Sequence, residues 1–432
     1  MKPHPTEAPE PYAVADRDVS HAVIEIFAGD NNLSQFVLED MKEILAGMSR
    51  PFSVLAMADF VDTEAAVIEL SPDGGGRVLD HLGEIDTGDP QTLADFLSRA
   101  LVSYSPSTRK AIGFWDHGSG VFDEYDPNEV SLERRLRSYP RYRRSRSVSA
   151  RRLFISRGRL FSDVRTRAML HDDTNGGVLT NHEAYGVLQQ AFDRSGSDPV
   201  DIIFSDTCLN GMIEVLAQFN EFAETVVGSE DLEPGDGWDY YEWFHTMSQA
   251  PPRTAEEWSK QAVEAFERGY KRRPAAHPCT LGAFRSDQRI SSVFKDLILA
   301  CDDHGKTGFD WLREARDYSQ SFARHDTYDI RDFVGNLHIV ATDARVQELC
   351  EELTRAFDEA RIHSTALGEE VKNAQGLAFW FPSNRYAYRQ VVDTYRKLRF
   401  DKDTDWSDYL ENQFFGREAR ERLLKSASRS KK

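Results

Sequence analysis

VDIIFSDTCLNGMIEVLAQF, residues 200–219, changes its periodicity half way along. The apolar run Ile202, Ile203 and Phe204 stops abruptly at Ser205-Asp206-Thr207-Cys208. Met212, Ile213, Leu216 and Phe219 then recur at three- and four-residue spacing, which places them on one helical face. The pattern predicts a short buried strand followed at once by a helix, with Cys208 at the junction. Amides and dipole at a helix N-terminus would favour a thiolate there. An isolated cysteine is more often a core residue. A second junction of the same kind shifts that balance.

Ala111–Val121, AIGFWDHGSGV, is that junction: the apolar run to Trp115 ends in Asp116-His117-Gly118-Ser119-Gly120. In open α/β sheets, sites form beyond the carboxyl ends of the strands. Two strands that each end in one half of a Cys/His pair would bring His117 close to Cys208, the minimal apparatus for acyl transfer. His117 alone reads more simply as a satisfied structural histidine. Together the two junctions favour a nucleophile and its acid–base partner.

The strings WDHGSG and SDTCLNGMIEV, followed by VVGSEDLEPGDGWDY, resemble the catalytic signature of the clostripain family of cysteine endopeptidases. FAGDNNLSQFVLEDMKEI, GEIDTGDPQTLADF and GLAFWFPSN resemble further stretches of that family, so the likeness runs along nearly the whole chain. It implies the caspase-like α/β fold: a three-layer sandwich with a mixed, mostly parallel sheet flanked by helices and a helical C-terminal part. It also implies Cys208 as nucleophile, His117 as acid–base, and the amides of Gly118 and Cys208 as oxyanion donors. In the family, the region matching Gly228–Tyr240 helps to build the pocket for the residue before the scissile bond. Asp206 and Asp236 are therefore candidates to pair with a substrate guanidinium through bidentate charge-assisted hydrogen bonds, and Trp238 to wall the pocket or to serve as core. Asp206 stands at the end of the nucleophile strand, two residues before Cys208, and the simpler reading of the acidic loop is a solvated turn.

The chain has 432 residues, 40% hydrophobic and 29% charged, as in an ordinary globular protein. Its net charge of −19 argues against general nucleic-acid binding. The polar, Pro-rich first twenty residues lack the apolar stretch of a secretory signal, and no run reaches the ~20 apolar residues of a membrane helix. Cytoplasmic residence without membrane association is expected, a departure from the many secreted clostripain relatives. Cys208, Cys279, Cys301 and Cys350 show no CxxC pairing, hence neither a disulfide framework nor a zinc site. Hydrolysis by a Cys/His pair requires no cofactor. Calcium dependence occurs in the family, and His171, Asp172 and Asp173 offer ligand atoms, although not in the spacing of an EF-hand loop.

In chain order, a flexible 1–20 precedes a catalytic core over 21–245. Residues 246–415 complete the sheet and helical layer, and a basic tail covers 416–432. Strands are expected at His21–Phe27, Phe52–Asp59, Ala65–Leu70, Thr225–Val227, Thr280–Phe284 and Gly376–Phe381. Asp30-Asn31-Asn32 could form a loop near the site, but turn chemistry, with Asn32 capping the next helix, is the simpler reading. Asp73-Gly74-Gly75-Gly76 reads as a loop tip, without the Lys of a phosphate loop. Asp89-Pro90 and the capping box Thr180–Glu183 start helices. Further helices are expected over Ser286–Asp303, Phe309–Phe322, Asp343–His363, Tyr386–Leu398 and Trp406–Phe414.

Glu133–Arg167 carries thirteen arginines against Glu133 and Asp163, a net +11 that leaves −30 on the rest of the chain. This stretch reads as an exposed insertion between the catalytic halves. Arg runs with Tyr139 and Tyr142 could bind phosphate and stack on bases, which would make the chain a nucleic-acid-binding regulator. A processing loop is the better reading, because clostripain-like enzymes cut after basic residues and are often matured between the His and Cys halves. Arg141, Arg143, Arg144, Arg146, Arg151 and Arg152 are the expected processing positions, cut by the chain itself or by an upstream protease. The function expected is thus a zymogen endopeptidase, Arg over Lys, acting on protein substrates, for which a bacterial stress or antiviral protease cascade is one setting. The rival class is a catalytically silent caspase-like scaffold, against which the intact His/Cys pair argues.

Overall fold

A computed structural model describes residues 8–49, 52–73, 75–122, 169–234, 237–272, 278–323 and 326–416. The insertion 133–167 with its processing arginines, Asp236, and all of the basic tail except Gly416 lie outside the described residues.

The first half runs β1 (His21–Gly29), α1 (Ser34–Gly47), β2 (Phe52–Phe60), β3 (Thr63–Ser71), β4 (Gly75–Gly83), α2 (Pro90–Ser103) and β5 (Arg109–Trp115). After the insertion come β6 (Leu170–His171), β7 (Val178–Leu179), α3 (Asn181–Ser195), β8 (Val200–Asp206), α4 (Ile213–Phe219) and β9 (Ala223–Gly228). Then follow α5 (Tyr240–Gln249), α6 (Ala255–Lys271), β10 (Cys279–Arg285), α7 (Arg289–Asp303), α8 (Lys306–Tyr318), β11 (Thr327–Asp329) and α9 (Ile330–Val340). The chain closes with α10 (Ala344–Ala360), β12 (Arg361–Leu367), β13 (Ala378–Trp380), α11 (Arg385–Tyr395), α12 (Arg399–Thr404) and α13 (Trp406–Tyr409).

Nine strands form one sheet in the order β12-β10-β9-β8-β5-β1-β2-β3-β4. Its centre, β2, β1, β5, β8 and β9, is parallel, and the flanks are antiparallel. Parallel strands need cover on both faces, which is why β1 and β5 are near-continuous apolar runs. Helices α1, α5 and α6 bury one face through Val37, Trp243 and Phe266. Helices α2, α3 and α4, with the C-terminal helices, bury the other through Leu97, Leu188 and Leu216. This is the expected three-layer sandwich with a mixed, mostly parallel sheet. Strand order reverses between β1 and β5, so a crevice opens beyond the ends of those strands.

Local chemistry sets the helix starts. The Asp89 carboxylate accepts from the Thr92 amide at 3.0 Å, and Pro90 fills the first turn. Thr180 and Glu183 exchange side-chain-to-backbone hydrogen bonds as a closed capping box.

Several elements depart from the sequence reading. Residues 75–83 continue past the loop tip as strand β4, whose half-exposed, weakly alternating residues gave no strand signal. The helix expected to His363 stops at Ala360, and Arg361–Leu367 turns back as edge strand β12 against β10. Helix α9, capped by Asp329 on the Asp332 amide at 2.7 Å, was not anticipated. Strand β13 lies outside the main sheet and pairs with β11. Helix α4 begins at Ile213, so Cys208 does not stand at its N-terminus. Leu209 takes φ of 63° in the intervening loop, outside the right-handed helical region.

Thr180→Ala removes one half of the α3 capping box. It is expected to lower unfolding free energy by about 1 kcal/mol in urea denaturation, with an unchanged m-value. An unaltered midpoint would show that the cap is not needed.

Candidate active site

The turns that leave β5 and β8 are neighbours because those strands pair in parallel, with Trp115 opposite Asp206. The Asp116 amide then donates to the Asp206 carbonyl at 3.4 Å, one step beyond the ladder. Gly118 explains the glycine of the histidine turn. A Cβ there would lie 2.3 Å from the Cys208 carbonyl oxygen and 2.9 Å from its nitrogen, so only glycine lets the two backbones meet. Sequence order thus places His117 and Cys208 on adjoining turns of one crevice.

Cys208 is 5% exposed, and its Sγ accepts from the Glu233 amide at 3.4 Å. Because α4 starts too late, this amide, from the loop after β9, replaces the expected helix terminus as a donor to the sulfur. The Leu209 amide donates to the Asp231 carbonyl at 3.3 Å and the Gly211 amide to Ser229 at 2.7 Å, which fix the cysteine loop to the same segment. The other three cysteines are different in kind: burial pushes the Cys279 and Cys350 thiols up to about 12, and Cys301 upward as well.

His117 is 3% exposed, and its Nε2 lies 2.9 Å from Asn32 Oδ1. Given that acceptor, Nε2 carries the proton and Nδ1 is left as the basic nitrogen. Asn32 is therefore not the cap of α1, whose N-cap is Leu33 without a side-chain bond. The loop reading of Asp30-Asn31-Asn32 is the one realised, alongside an Asx turn from Asn31 Oδ1 to the Leu33 amide at 2.8 Å. Buried Asp116 gathers its surroundings: Asn31 Nδ2 at 2.8 Å, the His117 amide at 2.5 Å and the His171 amide at 2.5 Å. His171 Nδ1 stands 3.8 Å from Asp116, and its Nε2 is 2.8 Å from Asp173. Burial works against charge on His171, but the two carboxylates outweigh it and push the imidazole up to about 9. Burial pushes the Asp116 carboxyl upward, a rise checked by His171 and the two amides. His171 and its ring, 6.0 Å from that of His117, thus tie the segment after the insertion to the histidine turn.

Below the cysteine loop lies a buried acidic group. Asp206, at the end of β8, receives the Trp238 amide at 3.4 Å and faces Glu233 and Tyr240. Trp238 is packed in the core against Phe204 and Trp243, and its Nε1 donates to Glu233 at 3.3 Å. Asp40 accepts from Trp115 Nε1 at 2.8 Å, and Glu25, in the middle of β1, has no hydrogen-bond partner on either oxygen. Burial pushes all four carboxyls upward, and the charges that act on Glu25 are acidic ones, Asp206 and Asp40. Sequence reasoning found Asp206 and missed Glu25, Asp40 and Glu233. The available signal was a glutamate inside an otherwise apolar strand, HAVIEIFAG.

His171, Asp172 and Asp173 do not form one cation site. His171 is committed to Asp116 and Asp173, whereas Asp172 converges with Asp30 and Asp59, whose ligand atoms all lie within 4.8 Å of one another. Among the described residues, no helix is long and apolar enough to cross a membrane.

The sequence pattern of the clostripain family matches residues 26–133 and 154–412. The chain is similar in structure to a secreted C11 cysteine protease from Bacteroides thetaiotaomicron in complex with an irreversible peptide inhibitor. That likeness has 16% identity and a TM-score of 0.60, covering 90% of this chain and 99% of that one. An inactive zymogen C11 protease from Parabacteroides distasonis is similar at 18% identity and a TM-score of 0.60, with the same coverage. At these identities the structural likeness speaks for the fold. No curated protein matches the chain significantly.

A carboxyl raised by burial stabilises the fold below its unfolded pKa, and that contribution is lost as pH climbs towards the raised folded value. For Glu25 the loss begins near its ordinary 4.5 and continues upward. The stability of Glu25→Gln relative to the parent is therefore expected to grow from pH 4.5 to about 8 in urea unfolding. A difference constant across that range would contradict it.

Proposed function

The chain belongs to the clostripain family and is a cysteine endopeptidase, and from that premise we propose that it cuts polypeptides after basic residues, Arg before Lys, once its own insertion has been cut. In this reading the Cys208 thiolate attacks the scissile carbonyl while the amides of Gly118 and Cys208 hold the oxyanion. His117 protonates the leaving amine, and the acyl-enzyme forms. His117 then takes a proton from water, hydroxide attacks the thioester, and Cys208 is released. Asn32 holds the ring so that Nδ1 is the atom that gives and takes the proton. No cofactor enters the chemistry. The observation that carries the reading is the β5/β8 register, with the Gly118 backbone against that of Cys208.

The buried carboxyls support basic specificity. Asp206 lies two residues before the nucleophile, and Glu233, Asp40 and Glu25 reinforce it. Carboxylates kept from water gain most from a cation that brings its own donors, and the guanidinium fork suits them better than a point charge. Asp236, one residue from Gly237 above Asp206, is the second proposed partner of the substrate cation.

The insertion supports restraint. The family match is interrupted between residues 133 and 154, where Arg134–Arg152 lies. A basic segment tethered between His117 and β8 has a high effective concentration at a cleft that binds Arg. A cut between Arg141 and Arg152, in cis or by an upstream protease, would release it. The fragments would stay together, since β5 of one pairs with β8 of the other.

Incubation of the wild type, Cys208→Ala and His117→Ala with Arg- and Lys-containing peptides tests the reading. Both variants are expected to be folded and inactive, and Cys208→Ala to keep its insertion intact. Turnover by Cys208→Ala would refute the assignment. Asp206→Asn is expected to lose about 3 kcal/mol, roughly 150-fold, in kcat/KM for Arg peptides. A preference for acidic or apolar residues before the cut would exclude the pocket as described.

A further inference from the structure

Two buried acids face each other beside the nucleophile: Glu233 is 1% exposed and Asp206 0%. One oxygen of each is occupied. Glu233 Oε1 accepts from Trp238 Nε1 at 3.3 Å, and Asp206 Oδ2 accepts from the Trp238 amide at 3.4 Å. The other two, Glu233 Oε2 and Asp206 Oδ1, are buried without a donor, and each carboxyl acts directly on the other. They are not free to turn apart. The Leu209 amide bonds the Asp231 carbonyl at 3.3 Å and the Gly211 amide that of Ser229 at 2.7 Å, so the loop that carries Glu233 is tied to the one that follows Asp206. Two carboxylates held together out of water do not both stay ionised, whereas a proton between them turns the contact into a hydrogen bond.

We infer that Glu233 and Asp206 share one proton in the free enzyme and that a basic side chain of the substrate binds by displacing it, which makes Glu233 a specificity-determining residue. The exchange balances: the pair carries one negative charge with its proton and two without it, so a guanidinium or ammonium enters as one proton leaves to solvent. Room for an incoming group lies against Gly237, where a Cβ would meet Asp206 Oδ2 at 3.4 Å, its Oδ1 at 3.8 Å and Asp40 Oδ2 at 3.9 Å. The titratable groups around the pair are Glu25 of β1, Asp40 of α1 and Tyr240 of α5, which act with Asp206, and Cys208, which acts on Glu233. All of them are acids, so they oppose loss of the proton until a cation replaces it. An uncharged side chain leaves the proton in place and gains no ion pair.

Glu233 also reaches the sulfur. Its amide donates to Cys208 Sγ at 3.4 Å while its carboxyl faces Asp206, so one residue touches both the nucleophile and the pocket. An ionised Glu233 without a cation would oppose a thiolate on Cys208, and either a proton or a bound guanidinium removes that opposition. The inference rests on the proposed basic specificity and deepens it: recognition of the cation is paid in one proton.

The test uses the cut enzyme and acetyl-arginine amide, which keeps one positive charge between about pH 6 and 8, with acetyl-citrulline amide as its uncharged counterpart. Calorimetric titration in two buffers of different ionisation heat counts the protons released. The wild type is expected to release close to one proton on binding the arginine amide and none with the citrulline amide. Its inhibition constant for the arginine amide, read against cleavage of an Arg peptide, is expected to fall by about tenfold per pH unit. Glu233→Gln keeps the backbone amide at Cys208 and offers Asp206 a permanent N–H. It is expected to release no proton, to show an inhibition constant independent of pH, and to bind the arginine amide roughly tenfold more weakly at the upper end of the range. Should the variant fail to fold, the wild-type proton count decides alone. Cleavage after Arg without proton release would overturn the shared proton and leave basic specificity standing, and so would undiminished release by Glu233→Gln. Failure of the arginine amide to inhibit, with cleavage after acidic or apolar residues, would remove the specificity reading and this inference with it.

Discussion

Parallel pairing of β5 with β8 is the constraint on which the rest of the molecule depends. Trp115 faces Asp206 across the ladder, so everything that follows each strand begins at the same height above the sheet. The histidine turn and the cysteine loop need no long reach to meet, only a residue without a side chain at Gly118. The remaining scaffold serves that register. Apolar strands β1 and β5 fix the central ladder by burial on both faces, and the reversal of strand order between them leaves the crevice open.

A second constraint is electrostatic. The described part of the chain keeps several carboxyls out of water and pushes them upward: Glu25, Asp40, Asp206 and Glu233 in one group, Asp30 and Asp59 in another. Such groups cost stability unless a cation meets them. The chain's strongest cationic stretch, +11 over 133–167, is inserted between the two catalytic turns. His171, pushed up to about 9 by its two carboxylate neighbours against the effect of burial, joins the segment that follows that stretch to the histidine turn.

Much of this could be read in the residues. Apolar runs that end in DHGSG and SDTC mark strand ends, and Asp89-Pro90 and Thr180–Glu183 mark helix starts because capping is local chemistry. Contacts made across distance were hidden. Asn32 resembles a cap, and only the fold shows its Oδ1 turned to His117. Glu233 donates its amide to Cys208 from 25 residues away, which no spacing rule encodes. Cys208 was read at a helix start because Met212, Ile213 and Leu216 are helically spaced, but periodicity does not locate a boundary, and the loop to Ile213 uses a left-handed Leu209 that no pattern announces. Edge strands β4 and β12 lack the burial that writes alternation into a sequence.

The account's central claim is that one thiol of four is the nucleophile and that it faces a pocket for a basic side chain. It is tested most directly by exposing the cut protein to a peptidyl electrophile ending in Arg and mapping the adduct by mass spectrometry. The account predicts a single adduct, on Cys208, outcompeted by an Arg peptide and absent in His117→Ala, with Cys279, Cys301 and Cys350 untouched. Labelling of another cysteine, or equal labelling by the same electrophile ending in Asp, would contradict it.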